Sequence, residues 1–183
     1  MASVTRLSID DFERLPQEQA KNHELVDGEL IPVSGNTPKP NFVFGLLFTQ
    51  LWLFARESRV GTVLAEQEYD FNGNAHGPDI SFLLGAKQTL IDPDKRVQRF
   101  VPNLAIEIVS ANDTFAALLR KRSRYRTCGT SEVWIISPDS REVYIYSERG
   151  DRILREDAEL SSELLPDFRL PVKSLFETLE SNG

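Results

Sequence analysis

Leu104-Ala-Ile-Glu-Ile-Val109 is the stretch of sequence that decides the fold. A short apolar run between polar segments is typical of a buried strand, so we predict that this stretch lies in the centre of a sheet. Glu107 interrupts the run. Because burying an unpaired carboxylate costs several kcal/mol, Glu107 needs either a charged partner or a metal ion. The residues alone leave open whether it forms a structural ion pair with a nearby arginine or belongs to a metal or catalytic site.

The sequence before this strand predicts two helices and several strands. Ser8-Ile-Asp-Asp11 has the pattern of an N-terminal capping box and predicts a short helix that stops near Pro16. Asp27-Gly28 lies between two apolar-alternating runs and predicts a hairpin. After Pro40 an apolar stripe predicts a long helix. The members of the stripe are Phe44, Leu47, Leu51, Phe54 and Ala55. Strands are predicted at 62–65, 68–71 and 80–84, and residues 85–99 are predicted to form an exposed polar loop.

The sequence after Val109 predicts a helix followed by strands. Ser110-Ala-Asn-Asp113 is predicted to cap a helix that runs to about Cys128 and ends at Gly129. Strands follow at 132–136, 143–146 and 152–154, and residues 172–179 are predicted to form a closing helix. No linker, repeat or low-complexity tract divides the chain. Residues 1–183 are therefore predicted to form one α/β domain with a mixed sheet flanked by helices.

Composition excludes several classes of function. The chain carries 21 basic and 28 acidic residues, a net charge of −7, which argues against a non-specific coat for nucleic acid but not against an enzyme with a local basic face. The apolar stretches are too short and interrupted to span a membrane. Acidic residues follow the N-terminus closely, so we expect no export. A single cysteine, Cys128, suits the cytoplasm.

Two further carboxylates are candidates for a site with Glu107. Asp79 stands at the head of the predicted strand 80–84, where it can face a cleft beside a carboxylate from a neighbouring strand. By itself, Gly77-Pro78-Asp79 favours an ordinary turn. Glu24, in the first hairpin strand, is either a third carboxylate or, more simply, the polar side of an edge strand.

The helix after the Glu107 strand carries a basic run from Arg120 to Arg126. Lys121 shares a face with Leu118 and Tyr125 and can reach the strand carboxylates along its apolar stem. Arg122 lies about as close to that face, so periodicity does not choose between them. The run as a whole favours a solvated basic helix, with Arg120 and Arg124 toward solvent, although it can also supply phosphate contacts. The histidines His23 and His76 have no metal-ligand spacing. Trp52 and Trp134 are predicted to lie in the core.

Four short motifs, taken in order, resemble the Uma-type family of restriction-endonuclease-like proteins, a branch of the PD-(D/E)xK nuclease superfamily. The resemblance runs from about Leu7 to Tyr146. The motifs are His23-Glu-Leu-Val-Asp-Gly-Glu-Leu30, Pro78-Asp-Ile-Ser81, Ala105-Ile-Glu-Ile-Val-Ser110, and Lys121 and Tyr125 followed by Gly129 and Glu132-Val-Trp134.

The resemblance implies a restriction-endonuclease-like central mixed sheet and a DNA endonuclease that depends on Mg²⁺ or Mn²⁺. Asp79 and Glu107 would hold the metal, with the backbone carbonyl of Ile108 as a further ligand, and Glu24 would be an accessory carboxylate. The superfamily lysine commonly lies two residues after the Glu. That position is Val109 here, and Uma-type members place the lysine on the following helix, which points to Lys121.

One departure from the family pattern bears on activity. Members often carry a histidine at the start of the long helix, where this chain has Asn41. The alternative function is therefore a catalytically silent nuclease-fold domain that binds a protein or a nucleic acid. A homodimer is expected, because duplex cleavage often uses two-fold symmetry and two-fold dimers are the commonest oligomers.

Overall fold

The structure is a computed structural model that describes residues 6–33 and 37–177. The helices are α1 (Ile9–Arg14), α2 (Gln17–Ala20), α3 (Pro38–Ser58) and α4 (Phe115–Thr127), with 3-10 helices at Gly85–Leu90 and Val172–Leu175. The strands are β1 (His23–Val26), β2 (Glu29–Pro32), β3 (Gly61–Ala65), β4 (Glu68–Asp70), β5 (Ala75–His76), β6 (Ile80–Leu84), β7 (Val97–Gln98), β8 (Leu104–Ile108), β9 (Glu132–Ser137), β10 (Glu142–Ser147), β11 (Gly150–Leu154), β12 (Glu159–Ser161) and β13 (Arg169–Pro171).

A six-stranded mixed sheet forms the centre of the fold, with strand order β11-β10-β9-β8-β6-β3. β8 is parallel to β9 and antiparallel to β6, and all five of its residues are buried. The prediction that Leu104–Ile108 is a central strand of a mixed sheet is therefore confirmed.

Helices cover both faces of this sheet. On one face, Val43, Leu47 and Leu51 of α3 pack against the isoleucines of β8 in the largest apolar cluster. On the other face, Tyr125 of α4 packs with Ala105 of β8 and with Tyr69 of a second sheet. Successive residues of β8 thus point alternately toward α3 and toward α4.

The second sheet has strand order β2-β1-β5-β4-β7 and carries α1 and α2. The predicted hairpin at Asp27-Gly28 is confirmed: both residues have positive φ (51° and 81°), as a two-residue turn of this kind requires. The predicted capping box is also present, because Ser8 Oγ accepts from Asp11 N and the Asp11 carboxylate accepts from Ser8 N. None of the helices within 6–33 and 37–177 is long and apolar enough to cross a membrane.

Four expectations from the sequence need correction. Residues 85–99 are largely exposed, as predicted, but they are not all loop, because they include a 3-10 helix and the buried strand β7, which pairs with β4. The N-cap of α4 is Thr114, whose side chain accepts from Ala117 N, while Ser110 and Asp113 bond to each other one turn earlier. Trp134 is buried as predicted, but Trp52 is 44% exposed. The closing helix is a 3-10 turn over Val172–Leu175, and its predicted end, Thr178 and Leu179, lies outside the described residues.

Candidate active site

Glu107 lies in the middle of the sheet and points away from the apolar core. Its neighbours Ile106 and Ile108 face α3, so Glu107 faces α4, where it is 7% exposed. The hydroxyl of Tyr125 donates to Oε1 at 2.6 Å, and Nζ of Lys121 donates to Oε2 at 3.3 Å. The ion-pair partner of this buried carboxylate is thus a lysine rather than one of the neighbouring arginines.

Asp79 is brought to Glu107 by strand register. The antiparallel pairs between β6 and β8 include Ile80 with Ile106, and one step further the register sets Asp79 opposite Glu107. Oδ2 of Asp79 accepts a hydrogen bond of 2.6 Å from the backbone N–H of Ile108. Burial, reinforced by the charge of Glu107, raises the pKa of Asp79 to about 7. The two carboxylates therefore share one end of the strand pair and repel each other.

Lys121 occupies the centre of the acidic cluster. It lies on the predicted face of α4 with Leu118 and Tyr125, and its Nζ is 2.9 Å from Glu24 Oε1 as well as 3.3 Å from Glu107 Oε2. Burial alone would lower the pKa of Lys121, but Glu107 and Glu24 outweigh it and raise that pKa above its ordinary value. The guanidinium of Arg122 lies instead over the ring of Tyr146, 4.5 Å from its centroid. The structure therefore identifies Lys121, and not Arg122, as the residue of α4 that reaches the strand carboxylates.

Glu24 is not the polar side of an edge strand. β1 lies between β2 and β5, and Glu24 is 8% exposed. Burial would raise the pKa of Glu24, but His76 and Lys121 together lower it to about 2. The carboxylate is therefore ionised and engaged on both of its oxygens.

His76 also belongs to this cluster, although its sequence spacing did not predict a role in the site. It is 3% exposed, and its Nδ1 lies 3.1 Å from Glu24 Oε2. A guanidinium nitrogen of Arg124 lies 2.9 Å from Nε2. The pairing of β1 with β5 joins residues that are far apart in sequence, and only a weak signal, a histidine in a short segment between turns, marked His76 beforehand.

The basic run on α4 is not a solvated helix face. Arg124 contacts His76 and also donates to Asp27 Oδ1 at 3.2 Å, contrary to the expectation that it faces solvent. Arg126 donates to the backbone carbonyls of Thr130 and Ser131. Arg120 is exposed, as predicted.

The charge of the cluster fits a divalent cation. Three carboxylates (Glu24, Asp79 and Glu107) face one ammonium, so the fully ionised set carries an excess of two negative charges. Burial raises the pKa of Glu107 as well as that of Asp79, so the ionised forms of these two groups are the ones that the protein stabilises least. Carboxylate oxygens suit Mg²⁺ or Mn²⁺. Among residues 6–33 and 37–177, no group of three or more His, Cys, Asp or Glu side chains is arranged to hold a metal, so the fit rests on Asp79 and Glu107 as a pair.

A pocket of about 380 Å³ opens beside Asp79. Its lining includes Ile108, together with Pro40, Asn41 and Phe44 from the first turns of α3. The position at which the family resemblance implies a histidine thus lines the same pocket as Asp79.

A mixed sheet between helices, with carboxylates at the ends of adjacent strands and a lysine beside them, is the arrangement that the resemblance to restriction-endonuclease-like proteins implies. The structure is similar to that of a protein from Anabaena variabilis ATCC 29413, described as a "putative nuclease belonging to DUF820", with a TM-score of 0.81 and 21% identity over 94% of this chain and 99% of that one. Residues 9–173 match the model of the Uma2 family, "Putative restriction endonuclease", and the chain belongs to that family. No curated protein matches it. The resemblance stated from the four motifs is confirmed.

Proposed function

We propose that this protein is a metal-dependent endonuclease that hydrolyses phosphodiester bonds of DNA. The observation that supports this most is Glu107, a buried carboxylate near the end of an otherwise apolar central strand, which faces a second carboxylate and a lysine. A structural ion pair would need only the lysine. The second carboxylate, Asp79, adds a charge without a cationic contact of its own among the described residues, and such an excess favours a cation site.

In this proposal Asp79, Glu107 and the backbone carbonyl of Ile108 hold Mg²⁺ or Mn²⁺. When bound, the divalent ion supplies positive charge that offsets charge on the phosphate and favours ionisation of an attacking water. Lys121 stabilises the negative charge that develops on the phosphate, or orients the water. The ammonium group is suited to this because Glu24 and Glu107 keep it protonated and in place.

Glu24 is assigned here to the lysine rather than to a second metal ion. Its Oε1 contacts Lys121 at 2.9 Å and its Oε2 contacts His76 at 3.1 Å, so neither oxygen is left to bind a metal without a change of partner. Further parts of the proposal are a homodimer that brings two such sites to one duplex, and a cytoplasmic location, which the single cysteine suits.

A second candidate function is a catalytically silent domain that binds a protein or a nucleic acid. Two observations favour it. Lys121 already forms ion pairs with two of the three carboxylates, and the pocket beside Asp79 has Asn41 where family members often have a histidine.

A nicking assay on supercoiled plasmid with Mn²⁺ separates the two functions. The variants are Asp79→Asn and, as a matched control, Asp139→Asn, which changes a carboxylate that is 84% exposed and paired with Lys39. We expect the wild type and the control to nick the plasmid at similar rates, and the nicking rate of Asp79→Asn to be lower by about 100-fold or more. Equal nicking by all three would indicate a contaminant, and no nicking by any would favour the silent domain.

A further inference from the structure

Arg124, His76 and Glu24 form a chain of contacts that ends on Lys121. The antiparallel pairing of Leu25 with Ala75 carries the register one step further and sets Glu24 opposite His76 on the same face of the second sheet. Arg124, on α4 one turn after Lys121, reaches back to His76. Two elements that are distant in sequence, the β1–β5 pair and α4, therefore meet at the imidazole.

The hydrogen-bond roles at His76 follow from the partners. A guanidinium has only donors, so the Nε2 that lies 2.9 Å from Arg124 must accept. In the neutral imidazole the proton is then on Nδ1, which lies 3.1 Å from Glu24 Oε2 and faces a carboxylate that can only accept. Arg124 thus selects the tautomer with the proton on Nδ1, the atom that lies 3.1 Å from Glu24 Oε2 although the angle between them is not that of a hydrogen bond.

Two aromatic rings also confine the imidazole. It forms a T-shaped contact with Tyr125, with ring centroids 5.9 Å apart, and a tilted contact with Phe71 at 6.0 Å. Arg124 is fixed in turn by Asp27 in the β1–β2 turn, whose backbone N–H donates to Asn74 at 2.7 Å. Because these contacts fix the position of the His76 ring, the ring in turn restricts where the Glu24 carboxylate can lie.

We propose that His76, oriented by Arg124, is a positioning residue that holds Glu24 against Lys121 and so fixes the ammonium beside Glu107. The proposal rests on the function proposed above, since the fixed ammonium is the group assigned there to the phosphate. It adds two residues to the site that do not touch metal or substrate. Partners that orient a functional group in this way cost about 10- to 100-fold in activity or affinity when they are removed.

Amine labelling of Lys121 in the metal-free protein, followed by mass spectrometry of the peptide, tests the proposal without reference to nuclease activity. His76→Phe keeps a ring but removes both nitrogens, whereas His76→Asn keeps a donor near the position of Nδ1. We expect His76→Phe to raise the labelling rate of Lys121 severalfold and His76→Asn to leave it close to the wild-type rate. Lys39, which is exposed and paired with Asp139, serves as the internal reference.

Phe82→Leu is the control for loss of packing, because Phe82 is buried in the apolar cluster with α3, on the side of the sheet opposite α4. The proposal is overturned if Phe82→Leu raises the labelling of Lys121 as much as His76→Phe does, or if neither changes it. Should His76→Phe fail to fold, His76→Gln replaces it, since the amide of Gln lies at the Nε2 end of the imidazole, where its oxygen can accept from Arg124, and places no nitrogen at the position of Nδ1. Equal labelling in His76→Gln and His76→Asn then contradicts the proposal.

Plasmid nicking by the same variants links the positioning role to catalysis. We expect kcat to fall by about 10- to 100-fold in His76→Phe, with little change in KM or in Mn²⁺ affinity, and most of the activity to return in His76→Asn. If wild-type nicking is absent while Lys121 labelling responds as expected, the proposed function fails and the positioning role stands. If the wild type nicks plasmid but the labelling of Lys121 does not change in His76→Phe, the positioning role fails and the proposed function stands.

Discussion

The backbone N–H of Ile108 donates a hydrogen bond of 2.6 Å to Oδ2 of Asp79. This bond ties the start of β6 to the end of β8 and fixes Asp79 beside the strand that carries Glu107. The two carboxylates are therefore positioned by the main chain of the sheet, whereas the lysine and the tyrosine reach them from α4. Pre-organisation of this kind is what a metal site requires of its ligands.

Replacing Lys121 by Met should destabilise the metal-free protein. The change leaves Glu24 and Glu107 buried without their shared cation, and breaking such a pair costs about 3 kcal/mol or more. Urea unfolding with and without Mn²⁺ measures the effect. We expect Mn²⁺ to recover part of the loss, because it supplies the missing positive charge. A variant as stable as the wild type would show that the lysine does not compensate these carboxylates.

Replacing Tyr125 by Phe should cost more stability than replacing Tyr69 by Phe. Both hydroxyls are buried and bonded at 2.6 Å, but Tyr125 donates to the carboxylate of Glu107, whereas Tyr69 pairs with the hydroxyl of Ser81. Hydrogen bonds to charged groups contribute about 1.5–3 kcal/mol, and neutral ones about 1 kcal/mol. Free energies of unfolding in urea give both values. Equal losses in the two variants would mean that Glu107 is not ionised in the folded protein.

Glu132 should make the folded protein less stable as the pH rises. It is buried where β9 begins, and burial raises its pKa although Trp134 and Ser162 donate to its carboxylate. Because its folded pKa lies above the unfolded one, its contribution is fully present below the unfolded pKa and is lost as the pH rises through the folded pKa. The unfolding free energy of the wild type minus that of Glu132→Gln should therefore fall over this range, by at most about 1.4 kcal/mol per pH unit.

Glu142 provides a control of opposite sign for this pH dependence. Hydrogen bonds from Tyr144 and then from Arg155 lower the pKa of this carboxyl group. Its contribution is present above the unfolded pKa and is lost as the pH falls through the folded one, so the difference between the wild type and Glu142→Gln should rise with pH. Urea titrations across the acidic range compare the two variants. If the unfolding free energy of Glu132→Gln has the same pH dependence as that of the wild type, the pKa of Glu132 is not raised in the folded protein.

Much of the fold could be predicted from the sequence because its main signals are local. The helical stripe predicted α3, the apolar run predicted β8, and Asp27-Gly28 predicted its hairpin. β7 could not be predicted, since two residues have no period and Val97 is buried by residues that are distant in sequence, such as Phe12 and Leu25. Trp52 shows the same limit, because an apolar neighbourhood in sequence did not reveal which side of α3 meets the sheet.

The candidate site was predictable only in part, because some of its residues are brought together by long-range pairing that local sequence patterns do not reveal. Glu107 was identified because its charge conflicts with its own strand. Lys121 could be placed on the inner face of α4 but not distinguished from Arg122, since the choice depends on where Glu24 lies. His76 reaches the site through the register of β1 against β5, and no local pattern specifies that register.

Calorimetric titration of the metal-free protein with Mn²⁺ tests most directly whether Asp79 and Glu107 form a metal site. We expect one ion to bind per chain in the wild type, binding to be lost in Glu107→Gln, and binding to persist in Glu132→Gln, which changes another buried glutamate by the same chemistry. Absence of binding to the wild type, or equal binding by Glu107→Gln and the wild type, would contradict the account.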